Sequence, residues 1–128
     1  MDQKNLAAGI TPTPQQLVNQ IIEEESWRQV LSCLVVCFFA RGLYSPQVVV
    51  ESLATLDINI TEDQLRALGM RTLLQKNRFK LREGFRPSTL PIPNRILETV
   101  SPSGTIGKEL IQDALRLFET RLSEDVNP

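Results

Sequence analysis

Cys33 and Cys37 are the most reactive side chains of this sequence. They stand four positions apart in an apolar stretch, Trp27 to Tyr44, reading WRQVLSCLVVCFFARGLY. A thiolate can ligate a metal or enter disulfide exchange, so this pair bounds the chemistry open to the chain. A 4Fe-4S cluster takes four thiolates, and the sequence holds two, so a complete cluster would need ligands from elsewhere. A disulfide is not indicated either: positions i and i+4 share a helix face, and bridging them strains the backbone. Taken alone, the two read as small buried hydrophobes, the usual state of free cysteine, in a reducing, cytoplasmic setting. The sequence has no histidine. That removes the Ser-His-Asp triad, the Cys-His pair and histidine metal sites.

The elements around the pair follow from the same stretch. Between Arg28 and Arg41 there is no charge, and Gln29 and Ser32 are the clearly polar side chains. As a helix the segment would span roughly 18 Å, short of the ~30 Å hydrocarbon core of a bilayer, so a buried helix of a soluble domain is expected. A helix apolar almost all round must be covered on several sides. The 128 residues, 41% apolar and 23% charged, suffice for one such core. The expected fold is all-α: five to six helices packed round a central apolar helix at about 26–41 that Gly42 stops, with a proline-rich connector before the last helix.

Read in order, positions 1–13 are a polar stretch expected to be a mobile leader, without the basic and apolar regions of a signal peptide. Thr13 and Pro14 form an N-cap and first-turn pair that opens a helix through Leu17, Val18, Ile21 and Ile22. Glu23, Glu24 and Glu25 mark either a bend before the central helix or its exposed face. Ser45-Pro46 opens another helix, which carries three consecutive valines. Thr61 to Gln64 is a capping box for a long helix that Gly84 ends. Pro87, Pro91 and Pro93 then impose an extended connector. A loop at Ser101 to Gly104 precedes a last helix from about Gly107 to Leu122, with Leu110, Ile111, Ala114, Leu115, Leu117 and Phe118 on its inner side. Residues 14–122 are expected to form a single helical domain, and 123–128 a frayed tail.

Charge is segregated. From Arg66 to Arg95 the sequence places Arg66, Arg71, Lys76, Arg78, Lys80, Arg82, Arg86 and Arg95 against Glu83 alone. The acids gather at Glu23 to Glu25 and near the C-terminus. Nucleic acid is the sharp interpretation of such a run. Against it, the positives are scattered round the helix with no aromatic interleaving, so a solvated face pairing with acidic helices or a partner is expected.

Several short segments occur in a recognisable order. Ser32-Cys33-Leu34-Val35-Val36-Cys37 is followed by two phenylalanines, Thr61 to Gly69 reads TEDQLRALG, and Lys80 to Phe85 reads KLREGF. Pro91 to Arg95 reads PIPNR, and Pro102-Ser103-Gly104 stands before the last helix. From Trp27 onward this order resembles the C-terminal helical part of the tungsten-containing aldehyde ferredoxin oxidoreductase family. That family has an Asp-x-x-Gly-Leu-Cys motif, then an Arg-Glu-Gly-Phe phrase, a Pro-x-Arg and a Pro-x-Gly loop. The resemblance implies that Cys37, at the motif's cysteine, is one ligand of a 4Fe-4S cluster beside a tungstopterin. Ser32 falls at the motif's pterin-contacting aspartate, and Val35 at its glycine. No catalytic residue is implied.

In that family the remaining cluster cysteines form a Cys-x-x-Cys-x-x-x-Cys run, which these residues do not contain. What the resemblance implies is therefore a C-terminal domain or fragment. It would contribute to aldehyde oxidation, with ferredoxin as electron acceptor, only together with an N-terminal part or second chain, and would not be active alone. The alternative is a non-catalytic helical interaction module derived from the same domain.

Overall fold

The computed structural model describes residues 12–99 and 106–124, and over them the protein is all-α. Among the described residues there are five helices: α1 Pro14–Cys33, α2 Pro46–Ala54, α3 Glu62–Arg82, α4 Asn94–Glu98 and α5 Lys108–Glu124. Two 3₁₀ segments, Phe38–Leu43 and Pro87–Thr89, lie between them. Most of the expected leader, the loop at 101–104 and the last residues of the expected tail lie outside the described residues. No helix among the described residues is long and apolar enough to cross a membrane.

Local chemistry starts the helices where expected. At α1 the Gln16 amide donates to Thr13 Oγ1 at 3.2 Å while the Thr13 amide donates to Gln16 Oε1 at 2.9 Å. That reciprocal pair is a capping box, with Pro14 in the first turn where its missing N–H costs nothing. The same geometry recurs at α3 between Thr61 and Gln64, at 3.2 and 2.9 Å. Glu62 and Asp63 fill the first turn of α3, where the helix dipole favours negative charge. At α2 the Ser45 side chain accepts from the Val48 amide, ahead of Pro46. The valine triplet is helical, with Val49 alone of the three buried.

Helix ends follow one pattern with three different residues. α3 closes with Phe85 N–H donating to Lys80 O (3.0 Å) and Gly84 N–H to Leu81 O (3.1 Å), Gly84 lying at φ 85°. This is a Schellman motif, in which glycine adopts the left-handed conformation without a Cβ penalty. α2 ends likewise: Ile58 N–H donates to Leu53 O, Asp57 N–H donates to Ala54 O, and Asp57 has φ 60°. α1 ends in the same bond pattern, described below.

Contacts divide the chain into two compact units. One is Glu23–Asn77; the other takes the described residues through Ile22 and from Arg78 on. In the first, Val30, Val49 and Leu65 form the buried cluster, and Trp27, Leu34, Tyr44, Val50, Leu53 and Ile60 pack on it. Each fully buried aliphatic side chain contributes roughly 1.5–3 kcal/mol. Glu23–Glu25 are not a bend: α1 runs through them uninterrupted. Arg28 pairs with Glu24 and Glu25 from the next turn. Gln29 is buried but satisfied, donating to Glu25 O and accepting from Lys76 Nζ. Gly69 of α3 meets α1 closely. A Cβ there would run into the Ser26 carbonyl and come within 3.0 Å of the Val30 methyl.

In the second unit Val18, Ala114 and Leu122 are buried. The inner side expected for α5 is the covered one, with Leu110, Ile111, Leu115, Leu117 and Phe118 half-buried. The connector is not extended throughout: Pro87, itself buried, opens a 3₁₀ turn. Thr89 N–H donates to Arg86 O and Leu90 N–H to Pro87 O, and the turn is clasped to α5. Glu119 Oε2 accepts the Ser88 amide at 2.9 Å, and Arg86 Nε lies 3.8 Å from Oε1. These bonds from Ser88, helped by the Arg86 charge, hold the Glu119 carboxyl below its ordinary pKa. Further along, Arg121 donates to Asn19 Oδ1 at 3.0 Å.

Candidate functional site

The residues of the six-residue motif lie at the end of α1. The central helix, expected to run to position 41, stops at Cys33. Val35 N–H donates to Ser32 O (3.2 Å) and Val36 N–H to Leu31 O (3.5 Å), with Val35 at φ 56°. This is the third Schellman end, and here a β-branched residue holds the left-handed position. Such a conformation is an outlier for valine and costs free energy. Two physical features favour the early stop. Val35-Val36 lowers helix propensity but does not by itself end a helix, since the valine triplet of α2 is helical. The covered side of α1 is already supplied by Val30, Leu31 and Leu34. Gly42, expected as the stop, instead sits inside the 3₁₀ segment with nothing near its Cβ position.

The turn sets the two cysteines on either side of Val35. Cys33 is the last residue of α1. Cys37 is the N-cap of the Phe38–Leu43 segment, its carbonyl accepting the Ala40 amide at 3.1 Å. Both are free and both are exposed, which corrects the expectation of buried thiols. Ser32 is also exposed. The apolar side chains of the segment are exposed with them: Val35 is 90%, Phe39 95% and Leu43 74% accessible. An apolar sequence signals burial only where a neighbour exists to cover it, and no described element of this chain covers these three. The turn thus brings Ser32, Cys33 and Cys37 into one short solvent-facing segment flanked in sequence by Arg28 and Arg41, with no charge between them. Among the described residues no group of three or more His, Cys, Asp or Glu side chains is placed to hold a metal.

A second cluster escaped the sequence argument. Phe79 and Phe85 fall inside the basic run, and both rings are exposed, at 57% and 39%. The Arg82 guanidinium lies 5.2 Å from the Phe79 ring centroid, and Lys80 Nζ 5.6 Å from that of Phe85. Both are within cation–π range. The written spacing Arg78-Phe79-Lys80-Leu81-Arg82 already contained this alternation. Two aromatics among so many positives were too sparse to stand out.

The family model for aldehyde ferredoxin oxidoreductase, domains 2 & 3, matches residues 5–124. No curated protein and no solved structure matches the chain.

Proposed function

This chain belongs to the aldehyde ferredoxin oxidoreductase family, and from that premise we propose that its α1 turn supplies one thiolate, Cys37, to a 4Fe-4S cluster completed by other polypeptide. The carrying observation is the exposure of Cys37 on an apolar, uncovered segment. A ligand that must reach iron held by another part of an assembly has to stand at a surface, and apolar neighbours keep water from the joint once it closes. The donor chemistry can supply part of a cluster's ligand set and no more. A cluster takes four thiolates, and the described residues do not form a complete set. The remaining three therefore come from an N-terminal part or a second chain, with ferredoxin a further candidate partner.

When bound, the cluster would supply one-electron transfer and the tungstopterin beside it the oxidation of aldehyde to acid. The chain's own contribution is positional. The Schellman bonds on Ser32 and Leu31 fix the turn, Cys37 presents the sulfur, and Val35, Phe39 and Leu43 offer the apolar wall. Ser32 brings a neutral hydroxyl to the position where the family's aspartate contacts the pterin. It can hydrogen-bond there but carries no charge.

The test is chemical. The chain would be tagged and isolated from its source without oxygen, then assayed for iron, acid-labile sulfide and tungsten, alongside Cys37→Ser and Cys33→Ser. Iron and visible absorbance lost in Cys37→Ser and kept in Cys33→Ser would support the assignment. Metal-free wild type, or iron that survives Cys37→Ser, would sink it. Metal-free wild type would leave the second interpretation, a non-catalytic helical interaction module. Ser32 and Val35 in place of the family's aspartate and glycine favour that one.

A further inference from the structure

We infer that the C-terminal end of α3, with the residues just after it, is a binding face for single-stranded nucleic acid, independent of the cysteine turn. Arg78, Phe79, Lys80, Arg82, Phe85 and Arg86 lie within nine positions, all in one of the two compact units and all exposed. Two of the cations have an acid beside them. Glu83 lies 3.3 Å from Arg82, and Glu119 lies 3.8 Å from Arg86. Helix-dipole stabilisation accounts for basic side chains in a last turn. It does not account for two phenyl rings left in water beside them.

The pairing of charge with ring decides between anionic partners. A carboxylate-rich ligand such as polyglutamate would use the cations but has no ring or base to stack on Phe79 and Phe85. A single strand uses both, because its phosphates meet the cations while its bases stack on aromatic rings and on guanidinium planes. The cation–π contacts hold Arg82 and Lys80 over their rings in the free protein, so less side-chain freedom is lost when a strand arrives. The Schellman end at Gly84 contributes too: it brings Phe85 back to Lys80, so a second ring and cation pair stands at the helix end close in sequence to Phe79 and Arg82. Nothing here calls for base-specific hydrogen bonds, so binding tolerant of sequence is expected.

The experiment is fluorescence anisotropy of a labelled oligodeoxythymidine with the full chain, compared with Phe79→Leu and with Lys80→Gln/Arg82→Gln. All sites are exposed, and circular dichroism would verify that each variant is folded. The wild type should bind saturably at low salt. With about three phosphates neutralised at ~0.7 each, affinity should fall about twenty-fold between roughly 50 and 200 mM salt. Phe79→Leu keeps apolar bulk but removes the stacking face, and should weaken binding about five-fold or more. The double charge variant should weaken binding and flatten the salt dependence. Absence of binding at low salt would overturn the inference. So would unchanged affinity in Phe79→Leu, or equal competition by polyglutamate, which would mark a surface for acidic protein instead.

Discussion

Val35→Gly should stabilise this protein although it removes an apolar side chain. The left-handed region costs an L-residue roughly 1–2 kcal/mol, with β-branched residues towards the upper end. Glycine removes that cost but returns roughly 0.5–1 kcal/mol through the greater freedom of its unfolded chain. Val35 is 90% accessible, so the burial forfeited is about a tenth of the ~1.5–3 kcal/mol of a fully covered side chain. The balance is a gain of about 0.7 kcal/mol, or roughly 2–4 °C in Tm for a chain of this size. Thermal and urea unfolding followed by circular dichroism would measure it, with Val35→Ala as the control. Alanine keeps a Cβ in the left-handed region, so it should recover only part of the gain. Gly84→Ala is the mirror experiment. A Cβ there meets nothing within 4 Å, so its loss, about 1 kcal/mol, would be conformational alone. A Val35→Gly variant less stable than wild type, or a Val35→Ala variant equally improved, would refute the strained-turn argument.

Gly69→Ala should lose about 1–2 kcal/mol in the same assays, because the clash with the Ser26 carbonyl outweighs the ~1 kcal/mol that helix propensity alone would add. Thr61→Ala should lose about 1 kcal/mol by uncapping α3, measured by urea midpoint. Glu119→Gln should lose about 1 kcal/mol near neutral pH, as charge-assisted bonds to Ser88 become neutral ones. The Glu119 pKa is lowered on folding from the ordinary 4.5, so its stabilisation is complete above that value and lost as pH falls through the folded one. The gap between wild type and Glu119→Gln in urea midpoints should therefore narrow in acid; a gap that stays constant down to strong acid would count against the clasp.

Much of this fold was legible because its signals are local. The Thr13, Ser45 and Thr61 starts and the Gly84 stop are written within four residues each, and the helical spacing of α5 names its own inner side. What was illegible depends on residues far apart or absent from the pattern. The end of α1 at Cys33 carries no stop residue, since valine is the last choice for a left-handed position, so the apolar run read as one long helix. Burial of Cys33 and Cys37 was inferred from hydrophobic neighbours, yet Val35, Phe39 and Leu43 are themselves uncovered. The Pro87 turn is clasped by Glu119, more than thirty positions away, a partner that no local pattern names. Of the candidate site, the positions of Ser32 and Cys37 were legible through resemblance, while their joint exposure on one strained turn was not.

The outward placement of both thiols has a practical side. A maleimide or a disulfide reagent should modify both cysteines of the native protein, so the thiol titre before and after denaturation should be the same. In aerated buffer such a surface invites covalent pairing between molecules, and samples intended for spectroscopy need reductant from the first step. The same property makes the turn a ready anchoring point for a fluorophore or spin label reporting when another molecule closes over it.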